Sequence, residues 1–168
     1  EVLQELANDN SQIVVCSHSP YFIPSDDFHA VRMVREVGSP ISSSVTSLKY
    51  DDLVKELSDA GEKAVKESGM IAKLYPTLRP AIREMFFSKK LILVEGVEDV
   101  AYLTSYIQLM EKLSEFRRSG YHIIPVGGKN ELIKPLAIAK LLNIEVFVIC
   151  DADTDKTRES EINKHKKD

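Results

Sequence analysis

Positive charge is not in excess in this sequence: 22 Lys and Arg stand against 26 Asp and Glu, a formal net charge of -4. A strongly basic nucleic-acid binder of the histone or repressor kind is thereby excluded, so any nucleic-acid role must rest on a local site. Cysteine is scarce as well. The two present, Cys16 and Cys150, each close an apolar run, IVVC and VFVIC, where a thiol behaves as a small core hydrophobe in a reducing compartment and no disulfide is expected. No apolar run approaches the roughly 20 residues needed to span a bilayer, and no signal peptide opens the chain, so a cytoplasmic protein with no membrane partner is expected. A phosphate-binding loop of the form G-x-x-x-x-G-K followed by Ser or Thr is also missing, and the chain alone is not expected to hydrolyse ATP.

The residues that are present suit a folded domain. Of the 168 residues, 43% are hydrophobic, enough for one domain or for one domain plus part of another. The chain opens inside a helical pattern (EVLQELANDN), without an initiator Met, and stops at HKKD without a terminating element, so a piece of a larger protein is expected. Early in the chain, QIVVC reads as a central strand, FHAVRMVREVG as a more exposed strand, and SPISSSVTS as a Ser-rich linker. From Tyr50 the spacing of Leu53, Leu57, Ala60, Ala64 and Val65 predicts a helix, and Pro76 and Pro80 divide the next stretch, through TLRPAIREMFF, into short helical pieces.

From Lys90 onward the pattern is regular. LILV is a strand, VEDVAYLTSYIQLMEKLSEF a helix burying Val100, Leu103, Ile107 and Met110, HIIPV a strand, ELIKPLAIAKLL a helix, and EVFVIC a strand. Crossovers of this length mean a parallel sheet covered by helices, an α/β fold. LILV and VFVIC, apolar without alternation, are expected in its middle.

Acids cluster where these strands end. Glu95 follows LILV, Gly96 permits a tight exit, Asp99 lies one turn further on, and VFVIC runs into Asp151-Ala152-Asp153 with Asp155 beyond. The crevice of an open parallel sheet lies at the carboxyl ends of its strands. If the first and third strands are neighbours, both acidic sets meet there and require a counter-charge. Lys129, Lys156 and Arg158 could supply part of it. Oxygen ligands without His or Cys suit a hard cation, Mg²⁺ or Mn²⁺. Taken singly, each acidic motif reads equally well as loop residues and helix caps; two together, after two core strands, favour the metal. Glu98 reads as a solvated helix residue or a helper to Lys129. The turn Val126-Gly127-Gly128-Lys129-Asn130 is either a phosphate-binding turn or a tight strand-to-helix connection. The basic tail holding Lys156, Arg158, Lys164, Lys166 and Lys167 fits either DNA-backbone contact or a solvated helix face. His18, between two serines after QIVVC, reads from its surroundings as a hydrogen-bonded turn histidine.

Residues 90 to 158, with VEGVED, VGGKN and ICDADTDK in that order, resemble the Toprim domain of topoisomerases, bacterial primases, recombination proteins and a group of nucleases. The resemblance implies that Glu95, Asp99, Asp151 and Asp153, with Asp155 more weakly, hold divalent metal, two ions in the nuclease members. The segment QIVVCSHSPYFI resembles the switch-histidine strand of ABC-type ATPases, implying for His18 a nucleotide-sensing role in a full-length protein. With the connector LRPAIREMFFSKKLILVEGVED, the order of segments resembles the OLD (overcoming lysogenization defect) family of ATP-dependent endonucleases, which includes a phage-defence nuclease. The expected organisation is a remnant of an ABC-type ATPase domain over 1–48, a helical connector over 49–88, and a Toprim nuclease domain over 89–168. The resemblance further implies DNA as substrate, phosphate contacts from Gly127, Gly128, Lys129, Lys156 and Arg158, a homodimer formed through the ATPase domain, a helicase-like partner, and ATP as a ligand of the full-length protein only. Family members carry a further catalytic lysine, for which Lys164, Lys166 and Lys167 are weak stand-ins. The competing reading is a non-cleaving Toprim scaffold of a recombination or repair protein.

Overall fold

The computed structural model describes residues 2–9, 11–24, 27–63 and 66–152. A helix α1 (Val2–Asn8) is followed by a β-hairpin of β1 (Met33–Val37) and β2 (Ser42–Thr46), then by helices α2 (Tyr50–Asp59), α3 (Glu67–Thr77) and α4 (Pro80–Arg83). The rest alternates: β3 (Lys90–Val94), α5 (Val97–Leu109), α6 (Leu113–Arg118), β4 (Tyr121–Pro125), α7 (Ile133–Leu141) and β5 (Glu145–Ile149). Strands β3, β4 and β5 form a parallel sheet in the order β4-β3-β5. The register pairs Val94 with Pro125 on one side and with Ile149 on the other. All three strands therefore end level, and the segments that leave them emerge at one edge.

Helices lie on both faces because β3 is apolar on both. Leu91 and Leu93 are fully buried and join a core with Ile124, Ala137, Ile138 and Ala139. By the two-residue alternation of a strand, Ile92 and Val94 point the other way, toward the side where α5 rests on β3 and β4. The small residues Ala137 and Ala139 let α7 approach the sheet closely, and Pro135 sits in its first turn, where proline is tolerated. Helix α2 packs on α7 through buried Leu53 and Leu57, with a surface ion pair between Glu56 and Lys140. All the buried apolar residues but Val94 form one continuous cluster that runs from Ile23 and Phe28 through Leu74, Leu78 and Met85 to Ile144. Each fully buried leucine or isoleucine in it contributes about 1.5–3 kcal/mol relative to exposure. The hairpin is fastened to this body by Arg35, whose Nη2 donates to the carbonyl of Ser88 (2.6 Å), just before β3; burial lowers the pKa of that guanidinium.

Several expectations change. QIVVC is not a strand: residues 11–19 have no regular structure, and Val14 and Val15 are 82% and 47% exposed. An apolar run becomes a strand only when another strand supplies its hydrogen bonds, and among the described residues none lies beside it. SPISSSVTS is not a linker, since Ser42–Thr46 pairs antiparallel with β1. The helix from Tyr50 ends at Asp59, before Gly61 at φ +91°, and Ala64 and Val65 lie outside the described residues. Pro76 sits inside α3 rather than dividing it. The helix after β3 is interrupted at Glu111, which adopts a left-handed φ of +56°. Met110 is consequently 56% exposed, and Val100, Leu103 and Ile107 are half-buried rather than buried. Among the described residues only β3 occupies the middle of the sheet and β5 borders it, with Phe147 48% and Ile149 45% exposed.

Candidate metal centre

The β3 exit is held by backbone on one side and by side chain on the other. Val126 N–H donates to the Val94 carbonyl (2.9 Å), extending the β3–β4 ladder by one bond, and Gly127 and Gly128 then both donate to the carbonyl of Glu95 (2.8 and 2.9 Å). Those glycines adopt φ of +90° and +131°, a region that favours residues without a Cβ. The Glu95 side chain turns toward β5, and its Oε1 accepts the backbone N–H of Asp151 (2.9 Å). Lys129 Nζ donates to the Asp151 carbonyl (3.1 Å). One peptide stretch at Asp151 is thus gripped by Glu95 and by Lys129, and the acidic exits of β3 and β5 are drawn to one place.

Asp99 reaches the same exit from α5. It stands at the third helical position, and its Oδ2 accepts the N–H of Gly96 (2.8 Å), satisfying a donor that the helix start leaves open. Gly96 itself has an extended backbone (φ -129°, ψ 171°). The expectation that glycine is needed there for a tight exit is therefore corrected, because any residue adopts that conformation. A Cβ at Gly96 would meet Glu98 Oε2 at 2.6 Å, the mobile end of an exposed side chain.

The donor set fits a hard divalent cation in chemistry. Glu95 and Asp99 each commit one carboxylate oxygen to a backbone N–H, which orients the carboxylate and leaves it a second oxygen with which to ligate. Among the described residues, no three His, Cys, Asp or Glu side chains gather closely enough to hold an ion. Asp153 and Asp155 lie outside the described residues, as do Lys156, Arg158, Lys164, Lys166 and Lys167. The amides of Gly127 and Gly128 brace Glu95, so the visible role of that turn is to fix the β3 exit. His18 lies in the irregular segment 11–19, where the neighbouring Ser19 N–H donates to Ser17 Oγ (3.0 Å). One residue at the site escapes sequence rules altogether. Arg79, just before α4, donates from Nη2 to the carbonyl of Val126, 47 residues away, and no strand-end or glycine-turn pattern points to it.

A level-ended parallel sheet with helices on both faces and acids leaving two adjacent strands defines an α/β domain consistent with the Toprim fold. Residues 86–153 match the family model described as the Toprim domain of overcoming lysogenization defect protein-like proteins. Over 156 residues the chain is 27% identical to Endonuclease GajA of Bacillus cereus (strain HuB5-5), an alignment that takes in 89% of this chain and 22% of that protein. The chain thus spans about a fifth of the relative it matches. No helix among the described residues is long and apolar enough to cross a membrane.

Proposed function

We propose that this chain carries the metal centre of a DNA endonuclease that depends on Mg²⁺ or Mn²⁺. The observation that carries the reading is the bond from Asp151 N–H to Glu95 Oε1, which joins the Glu-Gly and Asp-Ala-Asp motifs across two neighbouring strands with Asp99 on the adjoining helical turn. The Toprim match and a relative named as an endonuclease agree with it. Glu95, Asp99, Asp151 and Asp153 would hold the ions, with Asp155 as a further ligand. When bound, two such ions supply activation of a water and stabilisation of the leaving oxygen of a phosphodiester. The chain's own part is to orient the Glu95 and Asp99 carboxylates through backbone N–H groups and to draw the phosphate backbone in with Lys129, Lys156, Arg158 and the Gly127-Gly128 turn.

The wider proposal is a cytoplasmic protein working in phage defence, in which an ABC-type ATPase part, sensing nucleotide at His18, regulates cutting, forms the homodimer and meets a helicase-like partner. The test is nicking of supercoiled plasmid by the full-length protein in Mn²⁺. The unchanged protein is expected to nick and Asp151→Ala to lose the activity; equal cutting by both overturns the mechanism. Tight Mn²⁺ binding without cleavage under any condition would instead favour the non-cleaving scaffold.

A further inference from the structure

One peptide group in this structure faces two ways. The unit joining Val126 to Gly127 presents its carbonyl to the Arg79 guanidinium and its N–H to the Glu95 carbonyl. Both bonds depend on the same orientation of a single plane. Glycine at 127 leaves that plane free to rotate, since a residue without a Cβ tolerates either orientation. The guanidinium bond and the Gly127 bond to Glu95 both hold the plane in one of them. A Cβ on Gly127 would meet Arg79 Nη2 at 2.6 Å, so the arginine lies directly against this turn. Hydrogen bonds in series through one amide also polarise each other, so the Arg79 bond strengthens the Gly127 bond to Glu95.

Arg79 comes from the helical segment that precedes the sheet. Val126 N–H is tied to β3 at Val94, and Asp151 is tied to β3 through the Glu95 side chain. The chain Arg79, Val126–Gly127 peptide and Glu95 main-chain carbonyl therefore links the connector to residue 95, whose side chain in turn holds the Asp151 N–H. Beside it lies a cavity of about 440 Å³, lined by Lys73, Thr77, Arg79, Gly127 and Lys134.

We propose that Arg79 is a positioning residue: by fixing the 126–127 peptide plane it sets the orientation of Glu95, and so couples the connector to the metal centre. The inference rests on the reading of this site as a metal centre. Its test uses the full-length protein, with Arg79→Met keeping the apolar stem and Arg79→Lys restoring a donor. Hydrogen exchange reads the turn, and Mn²⁺ binding followed by electron paramagnetic resonance reads the site. In Arg79→Met the Gly127 amide should exchange about tenfold faster while the β3 amides stay protected, as expected of a local opening. Mn²⁺ affinity should fall about tenfold, the scale of lost second-layer support, and Arg79→Lys should bring both back toward the unchanged protein. Unaltered Gly127 exchange in Arg79→Met overturns the proposal. So does faster exchange with unaltered Mn²⁺ affinity, because the lock then does not reach the carboxylates. An unchanged protein that binds no Mn²⁺ sinks the metal reading and this inference with it, and the exchange data still separate that failure from the other two.

Discussion

Glu95 accepts through Oε1 the backbone N–H of Asp151, 56 residues further along the chain, at 2.9 Å. The contact is side chain to main chain, so replacing residue 95 can remove it, whereas replacing the side chain at 151 leaves its N–H donor in place. Glu95→Gln keeps an acceptor for the Asp151 N–H and removes the negative charge. It should fold with unaltered stability and lose cleavage by on the order of 100-fold or more, the upper end of what disturbing a ligand set costs. Denaturant melts and plasmid nicking check the two halves. Glu98→Gln, on the exposed side of the helix start, is the control expected to cut normally.

Asp99 serves two purposes that can be separated. As the acceptor of Gly96 N–H it caps α5, and its replacement by alanine should cost about 1 kcal/mol, typical of a lost cap. Asp99→Asn retains an acceptor and should recover most of that stability without recovering Mn²⁺ affinity. A variant that recovers both would show that Asp99 is a cap only.

Divalent ions should stabilise the fold. A ligand that binds the native state alone at 100 times its Kd adds about 2.7 kcal/mol, so Mn²⁺ should raise the melting temperature and EDTA should reverse the rise. In Asp151→Asn the increment should vanish. An equal rise in both proteins would place the bound ion elsewhere.

The two kinds of glycine at the site predict opposite outcomes. Gly127→Ala puts a Cβ at φ +90° and 2.6 Å from the Arg79 guanidinium, and the left-handed backbone alone costs about 1–2 kcal/mol. Gly96→Ala meets the end of the Glu98 side chain, with Asp99 Oδ2 at an ordinary 3.8 Å, and should cost less than about 0.5 kcal/mol, as surface changes do. Urea midpoints of the two variants decide the matter.

How legible the fold was depended on whether an element is packed on both sides. LILV and ELIKPLAIAKLL are fixed by core contacts, so their apolar patterns announce them, as Leu93 and Ile138 illustrate. Ser42–Thr46 carries little apolar signal because it forms an exposed hairpin held by backbone pairing with β1. QIVVC misled in the other direction, since its apolar residues lie open in the structure. The acids at the strand ends were legible because parallel strands that end level must deliver them to one edge. Arg79 was not, because a single bond across 47 residues leaves no local pattern.

The order β4-β3-β5 also sets when the centre can come into being. Strand β3 pairs with β4 across α5 and α6, and with β5 only after α7 has been crossed. The second pairing closes the longer loop, and pairings distant in sequence form slowly even though their entropic cost rises only with the logarithm of loop length. Glu95 and Asp151 can therefore meet only once the β3–β5 pairing, the longer of the two closures, has formed. Whatever delays that pairing delays the meeting of the two acidic exits, while the β3–β4 pairing does not depend on it.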